Sequence, residues 1–217
     1  MGMTDTVICV HGVWGHGVSM YLIKRRLQTE YGFDVRLFSY PSVRGTLDEN
    51  AMRLSRFIDE QQLDNAHIIG HSLGGVIGLR MYSLFPDGPE GRLVCIGSPL
   101  TGSRAAAYLN TRDWAEPILG HTLKAGVIHE AANEWGSHVC EDRDVGIIAG
   151  TAPYGLGRLV TTFDGDNDGT IAVSETRLDG AKDHICLEVS HKSMLVSPDV
   201  VDQAAAFLKR GEFLRDL

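Results

Sequence analysis

Apolar runs of four to six residues recur along the chain, and between them the apolar positions fall at helical spacing. The runs predict six strands, over 6–10 (TVICV), 35–40 (VRLFSY), 67–70 (HIIG), 92–97 (RLVCIG), 145–150 (VGIIAG) and 185–189 (ICLEV). Most are apolar almost throughout rather than at every second position. That is the pattern of a sheet covered on both faces, hence of parallel strands joined by helical crossovers. Two helices are well marked. Leu47, Ala51, Leu54 and Ile58 share one face behind a capping box of Thr46 and Glu49. After Pro198, Val200, Val201, Ala204, Ala205 and Leu208 form an inward face that stops at Gly211. The prediction is an α/β chain with a three-layer αβα arrangement around a mostly parallel six-stranded sheet.

One crossover is longer than a single helix requires. Residues 101–144 contain helical patches over 103–109 and 119–134, with Trp114 and Trp135 among polar residues. We expect a small helical insertion after the fourth strand, a cap over the strand ends that could line a substrate site. Nothing marks a domain boundary, so residues 1–217 are expected to form one domain.

Composition narrows the partners. With 20 Lys and Arg against 28 Asp and Glu, the net charge of −8 disfavours nucleic acid and anionic membrane surfaces. Neither a long apolar segment nor a secretory leader pattern is present, so stable membrane insertion is not expected and a cytoplasmic location is. The opening MGMTDT fits a myristoylation pattern, but a strand begins too soon after it to leave a tether. Cys9, Cys95 and Cys186 lie in apolar runs, where a reduced thiol is a small hydrophobe; Cys140 lies in a polar stretch. No CxxC pair occurs, and His129, His138 and Cys140 lack any recognised zinc spacing.

Chemistry enters with Gly70-His71-Ser72-Leu73-Gly74. The bare G-x-S-x-G pattern is common, but here a strand delivers the chain to it and a helical pattern follows. A sharp strand-to-helix turn strains its central residue and leaves room only for glycine beside it. Ser72 would then stand at a helix amino terminus, where backbone N–H groups favour developing negative charge. A second such loop, His11-Gly12-Val13-Trp14-Gly15, follows the first strand. The N–H groups of Val13 and Leu73 are the candidate oxyanion donors. His11 and His71 are expected to fix these loops by hydrogen bonding rather than to transfer protons.

A serine nucleophile needs a base and a carboxylate to orient it. Among nine histidines, His191 alone closes a strand on the side where Ser72 must lie. Asp168, in DNDGT, comes 96 residues after Ser72 and 23 before His191, giving the order Ser, Asp, His.

Together VHGVWG, GHSLGG, NDGTIAVSETRL and VSHKSMLVSPDVVDQAAAFLKRG resemble the α/β-hydrolase serine esterases, closest to small bacterial lipases and lipase-like hydrolases. The resemblance covers most of the chain outside the insertion, which is longer than a minimal lidless lipase needs. It implies an α/β-hydrolase fold, Ser72 as nucleophile, Asp168 as acid, His191 as base, and Val13 and Leu73 as oxyanion donors. It also implies hydrolysis of small carboxylic esters with an apolar acyl group, without a cofactor. Trp14 and Met194 are expected to line the substrate site. The same triad serves thioesterases and acyltransferases, so those remain alternatives.

A second motif claims the same aspartate. Asp164, Asp166, Asp168, Gly169 and Glu175 satisfy the calcium-loop pattern of an EF-hand, which as a pattern is rarer than G-x-S-x-G. Its flanks argue against it. Gly155, Gly157 and Val160-Thr161-Thr162 make a poor entering helix, and four residues between Glu175 and Gly180 are too few for an exiting one. A non-catalytic, calcium-dependent binding module therefore stands as the third alternative.

Overall fold

The computed structural model describes residues 5–63, 65–111, 132–154 and 165–215. Its six strands are β1 (Thr6–Val10), β2 (Asp34–Phe38), β3 (Ala66–His71), β4 (Leu93–Ile96), β5 (Val145–Gly150) and β6 (Asp183–Leu187), in the order β2-β1-β3-β4-β5-β6. Every pairing is parallel, a stricter arrangement than the mostly parallel sheet expected from the pattern. Helices α1 (Tyr21–Tyr31) and α7 (Pro198–Arg210) cover one face, and α2 (Leu47–Glu60) and α3 (Leu73–Leu84) the other.

The two faces follow from strand periodicity. In β1, Val7 and Cys9 pack with Ile23, Leu27 and Phe207, while Ile8 and Val10 pack with Leu54, Val76 and Ile77. A strand buried on both sides must be apolar throughout, which is why β1, β3, β4 and β5 read as continuous runs. β6 is an edge strand and only half-buried, so Cys186, expected as a buried thiol, is exposed. The helix ends match their residues. The Thr46 hydroxyl accepts from Glu49 N–H at 3.1 Å while Glu49 accepts from Thr46 N–H at 2.9 Å. Gly211 closes α7 in the left-handed region at φ 78°.

Of the insertion, α4 (Arg104–Asn110) begins one residue after the expected patch, and α5 (Ala132–Gly136) and α6 (Val139–Asp142) follow. Trp114 and most of the 119–134 patch lie outside the described residues. The described part of its second half, residues 132–142, packs on the α3 layer. Ala132 and Val139 are buried in that layer's core, and the Arg80 guanidinium lies 4.9 Å from the centre of the Trp135 ring. The base of the insertion is closed: Asn133 N–H donates to the Leu100 carbonyl at 2.7 Å, and Asn133 Oδ1 accepts from Asp179 N–H at 2.7 Å. Among the described residues no helix is long and apolar enough to cross a membrane.

Strand register positions everything that follows. Val10 pairs with Gly70, His71 with Ile96, and Ile96 with Ile148, so the carboxyl ends of β1, β3, β4 and β5 lie level. The chain leaves β1 toward α1 on one face and β3 toward α3 on the other. β1 and β3 thus flank the switch point where the crossovers change face, the place at whose carboxyl edge open parallel sheets bind ligands.

Candidate functional site

Ser72 joins β3 to α3 with φ 53° and ψ −122°, a backbone region almost reserved for glycine that costs on the order of 1–3 kcal/mol. The strain is held by a donated bond from Ser72 N–H to the Ile96 carbonyl (2.8 Å) and from Gly75 N–H to the Ser72 carbonyl (3.1 Å). The glycines around it are forced by contact. A Cβ at Gly70 would fall 2.3 Å from the Gly75 nitrogen, and one at Gly74 would fall 2.2 Å from the Val10 carbonyl oxygen. The α3 amino terminus thus packs directly on the backbone that leaves β1.

That loop is held by His11 and Tyr40. Tyr40 N–H donates to His11 Nε2 at 3.3 Å, so the His11 proton resides on Nδ1, which donates to the Gly12 carbonyl at 2.7 Å. The Tyr40 hydroxyl donates to the His11 carbonyl at 2.7 Å, and the two rings stack 4.3 Å apart. Burial lowers the His11 pKa and keeps the ring neutral. At the tip, Trp14 has a positive φ of 57° and donates its N–H to Ser42 Oγ at 3.1 Å. Gly12 lies against the serine: a Cβ there would meet Ser72 Cβ at 3.0 Å. Val13 and Leu73 thus flank Ser72 on two converging loops, Leu73 as the first residue of a helix whose leading N–H groups have no intrahelical acceptor.

Asp168 follows β5 and His191 follows β6. Their side chains meet with His191 Nδ1 2.6 Å from Asp168 Oδ2. Asp168 is 1% exposed, and its second oxygen accepts the N–H groups of Thr170 (2.8 Å) and Ile171 (2.7 Å). A carboxylate with every oxygen satisfied this way is fixed in place. His191 N–H also donates to the Asp168 carbonyl at 2.9 Å, so backbone and side chain bind the same residue. With Nδ1 donating to the carboxylate, Nε2 is left bare to accept a proton. The pair stands beside the serine turn: the His71 and His191 ring centres are 4.8 Å apart, and His71 Nε2 lies 3.0 Å from the His191 carbonyl.

Two expectations change. Met194, expected to line the substrate site, is fully buried. Its sulfur lies 2.9 Å from where a Gly97 Cβ would stand, in the core beneath the Asp168–His191 pair. It supports that pair and offers no surface to a ligand. Trp14 is 55% exposed on the loop after β1. Of the calcium-loop acids, Asp164 lies outside the described residues. Both oxygens of Asp168 are engaged as above, and Glu175 gives one oxygen to Arg104 N–H (2.6 Å) and the other to Ala172 N–H (2.8 Å). Burial raises the Glu175 pKa above the ordinary carboxylate value. Glu175 lies in a short 3-10 turn (Val173–Thr176) rather than ahead of a helix. Among the described residues no group of three or more His, Cys, Asp or Glu is placed to hold a metal.

Sequence reasoning missed Gly97 and Glu175. Gly97, at φ 57° after β4, lets the Asp168–His191 pair approach; a Cβ there would lie 3.3 Å from both Asp168 Oδ2 and His191 Nδ1. A glycine closing a strand beside the switch point was the signal available. In the sequence Glu175 stands out only as a calcium-loop acid.

The model of the alpha/beta hydrolase family matches residues 7–210. No curated protein matches the chain. Among solved structures, the mature Bacillus licheniformis lipase BlEst2 is similar at TM-score 0.73 and 17% identity, over 98% of this chain and 94% of that one. A structure from work on carboxylesterases of Nitrososphaera gargenis is similar at TM-score 0.68 and 14% identity (96% and 91%). The RedJ thioesterase of Streptomyces coelicolor prodiginine biosynthesis is similar at TM-score 0.61 and 15% identity (94% and 88%). At these identities the structural likeness concerns the fold; with nearly its whole length matched by the family model, the chain belongs to the alpha/beta hydrolase family.

Proposed function

We propose that this protein is a serine hydrolase that cleaves small carboxylic esters through an acyl-Ser72 intermediate. The observation that carries the reading is the 2.6 Å Asp168–His191 pair standing beside a serine in a strained, glycine-walled turn. His191 Nε2 takes the Ser72 hydroxyl proton as Oγ bonds to the ester carbonyl carbon. The resulting oxyanion is received by the Val13 and Leu73 N–H groups. Collapse breaks the bond to the alcohol oxygen, which takes the proton from His191. Water then repeats the sequence on the acyl-enzyme, releasing the acid and restoring Ser72. Asp168 holds the imidazole tautomer and stabilises the imidazolium. No cofactor takes part in these steps. Trp14, half-exposed beside the oxyanion loop, suits an apolar acyl or alcohol group.

The choice of oxygen esters rests on the lipase resemblance and on lipase and carboxylesterase neighbours. A thioester substrate is the second reading, favoured by the RedJ neighbour. The test is labelling by a fluorophosphonate, with hydrolysis of matched oxygen and sulfur p-nitrophenyl-type esters. Wild type is expected to label and turn over, and Ser72→Ala to lose at least about 10³-fold of the hydrolysis rate. Activity retained by Ser72→Ala would end the proposal, and a strong preference for the sulfur ester would move it to the thioesterase reading.

A further inference from the structure

We infer that His71 is a positioning residue, the pin that sets the His191 base against the Ser72 nucleophile; the inference rests on the triad reading above. His191 is bound to Asp168 twice, through N–H to the Asp168 carbonyl (2.9 Å) and Nδ1 to Oδ2 (2.6 Å). Those bonds make the two residues one body, on the loops after β5 and β6. They do not fix where that body lies relative to Ser72, which is carried by β3. Among the described residues one hydrogen bond ties the serine turn to the His191 segment: His71 Nε2–H donating to the His191 carbonyl at 3.0 Å.

The position of His71 in sequence makes this bond act on the reacting atoms. Its backbone is the last residue of β3, and the next residue is Ser72. The side chain that reaches the base and the hydroxyl the base must reach therefore spring from adjacent α-carbons. The ring also meets the third loop of the site, since a Cβ at Gly12 would come within 3.3 Å of His71 Nδ1. One buried imidazole thus touches the oxyanion loop, the nucleophile turn and the base loop.

Burial fits the ring for this task. His71 is nearly inaccessible, and desolvation pushes its pKa down to about 3, with the neighbouring His191 acting in the same direction. It is therefore neutral at working pH, and a carbonyl acceptor at Nε2 assigns its single proton to that nitrogen. A neutral pin matters here. His191 must become an imidazolium during turnover, and a second positive ring 4.8 Å away would oppose that charge.

The experiment compares His71→Leu, which fills the space without a donor, with His71→Gln, whose amide N–H can replace Nε2–H. Three readouts are taken: kcat and KM on a p-nitrophenyl ester, the thermal midpoint, and amide hydrogen exchange over residues 189–196. In His71→Leu we expect kcat to fall by about 10- to 100-fold with KM within about twofold. Exchange over 189–196 should rise in that variant, and His71→Gln should restore both toward wild type. Equal kcat losses in the two variants, or unchanged exchange in His71→Leu, would overturn the pin. Exchange is read whether or not the protein hydrolyses esters. Absent turnover in wild type with donor-dependent exchange over 189–196 would therefore overturn the esterase reading and support the tie itself.

Discussion

Gly74→Ala is the sharpest small perturbation available to the site. A Cβ at Gly74 stands 2.2 Å from the Val10 carbonyl oxygen and 2.7 Å from that of His11. Both obstacles are backbone, so no rotamer change relieves them. Contacts below 3.0 Å are essentially never seen for real Cβ atoms, so α3 and the loop after β1 must part by about 1 Å. Overpacking of this kind costs about 1–3 kcal/mol, or about 2–12 °C of thermal midpoint for a domain of this size. In the proposed mechanism the same parting carries the Val13 N–H away from the oxyanion. A misplacement of about 1 Å costs roughly 10²-fold in rate, so kcat on a p-nitrophenyl ester should fall by about that factor in folded protein. Gly78→Ala is the control, one turn along the same helix. Its Cβ would meet only the side-chain methyls of Leu93 (3.0 Å) and Ile68 (3.2 Å), while alanine gains up to about 1 kcal/mol of helix propensity. Activity there should be unchanged. A folded Gly74→Ala protein with kcat within about threefold of wild type would refute the claim that α3 sets the oxyanion loop.

Stability should also decline in acid through one buried and one half-buried histidine. Desolvation holds the folded-state pKa of His71 down at about 3 and of His184 at about 4, against an ordinary 6.5. The folded chain then binds fewer protons than the unfolded one, so this stability is full above pH 6.5 and is lost as pH falls from 6.5 toward 4 and 3. The buried His71 ring should remove about 1 kcal/mol between pH 7.5 and 5.5 and the solvent-screened His184 ring less, read from urea midpoints at constant ionic strength; a flat profile over that window would contradict the assignment. Tyr40→Phe removes the hydroxyl donor to the His11 carbonyl but keeps the ring stack. It should cost about 1 kcal/mol, or about 2–4 °C of thermal midpoint, with a smaller loss of kcat than Gly74→Ala. A variant as stable as wild type would show that the phenol does not tie this loop.

The layers were legible because burial on both faces leaves no choice but apolar strands, and β1 and β5 fall at the boundaries expected from their runs. β6 was misplaced by two residues because an edge strand needs polar positions on one side, so Asp183 and His184 belong to it. Ser72, Asp168 and His191 could be singled out because loop chemistry leaves local marks: glycines around a serine, a carboxylate in a turn, a histidine closing a strand. Met194 misled because chain proximity to His191 says nothing about which side of the sheet edge a side chain enters. Tyr40 and the double use of Glu175 carry no local mark. They become visible only once separate strands stand side by side.

The closed base of the insertion has a consequence for how such a chain can change. Leu100 and Asn133 are tied to each other, and Glu175 and Asp179 grip the two ends from the acid loop: the Glu175 carbonyl receives the N–H groups of Leu100 and Thr101. Whatever lies between enters and leaves through one clamped gate. Closing a longer loop costs only about 0.6 kcal/mol per doubling of length. Beyond α4, which packs on the core and donates its Arg104 N–H to Glu175, the segment can therefore be lengthened or shortened while the sheet and the Asp168 turn keep their geometry, which makes it a natural place for variation around an unchanged candidate site.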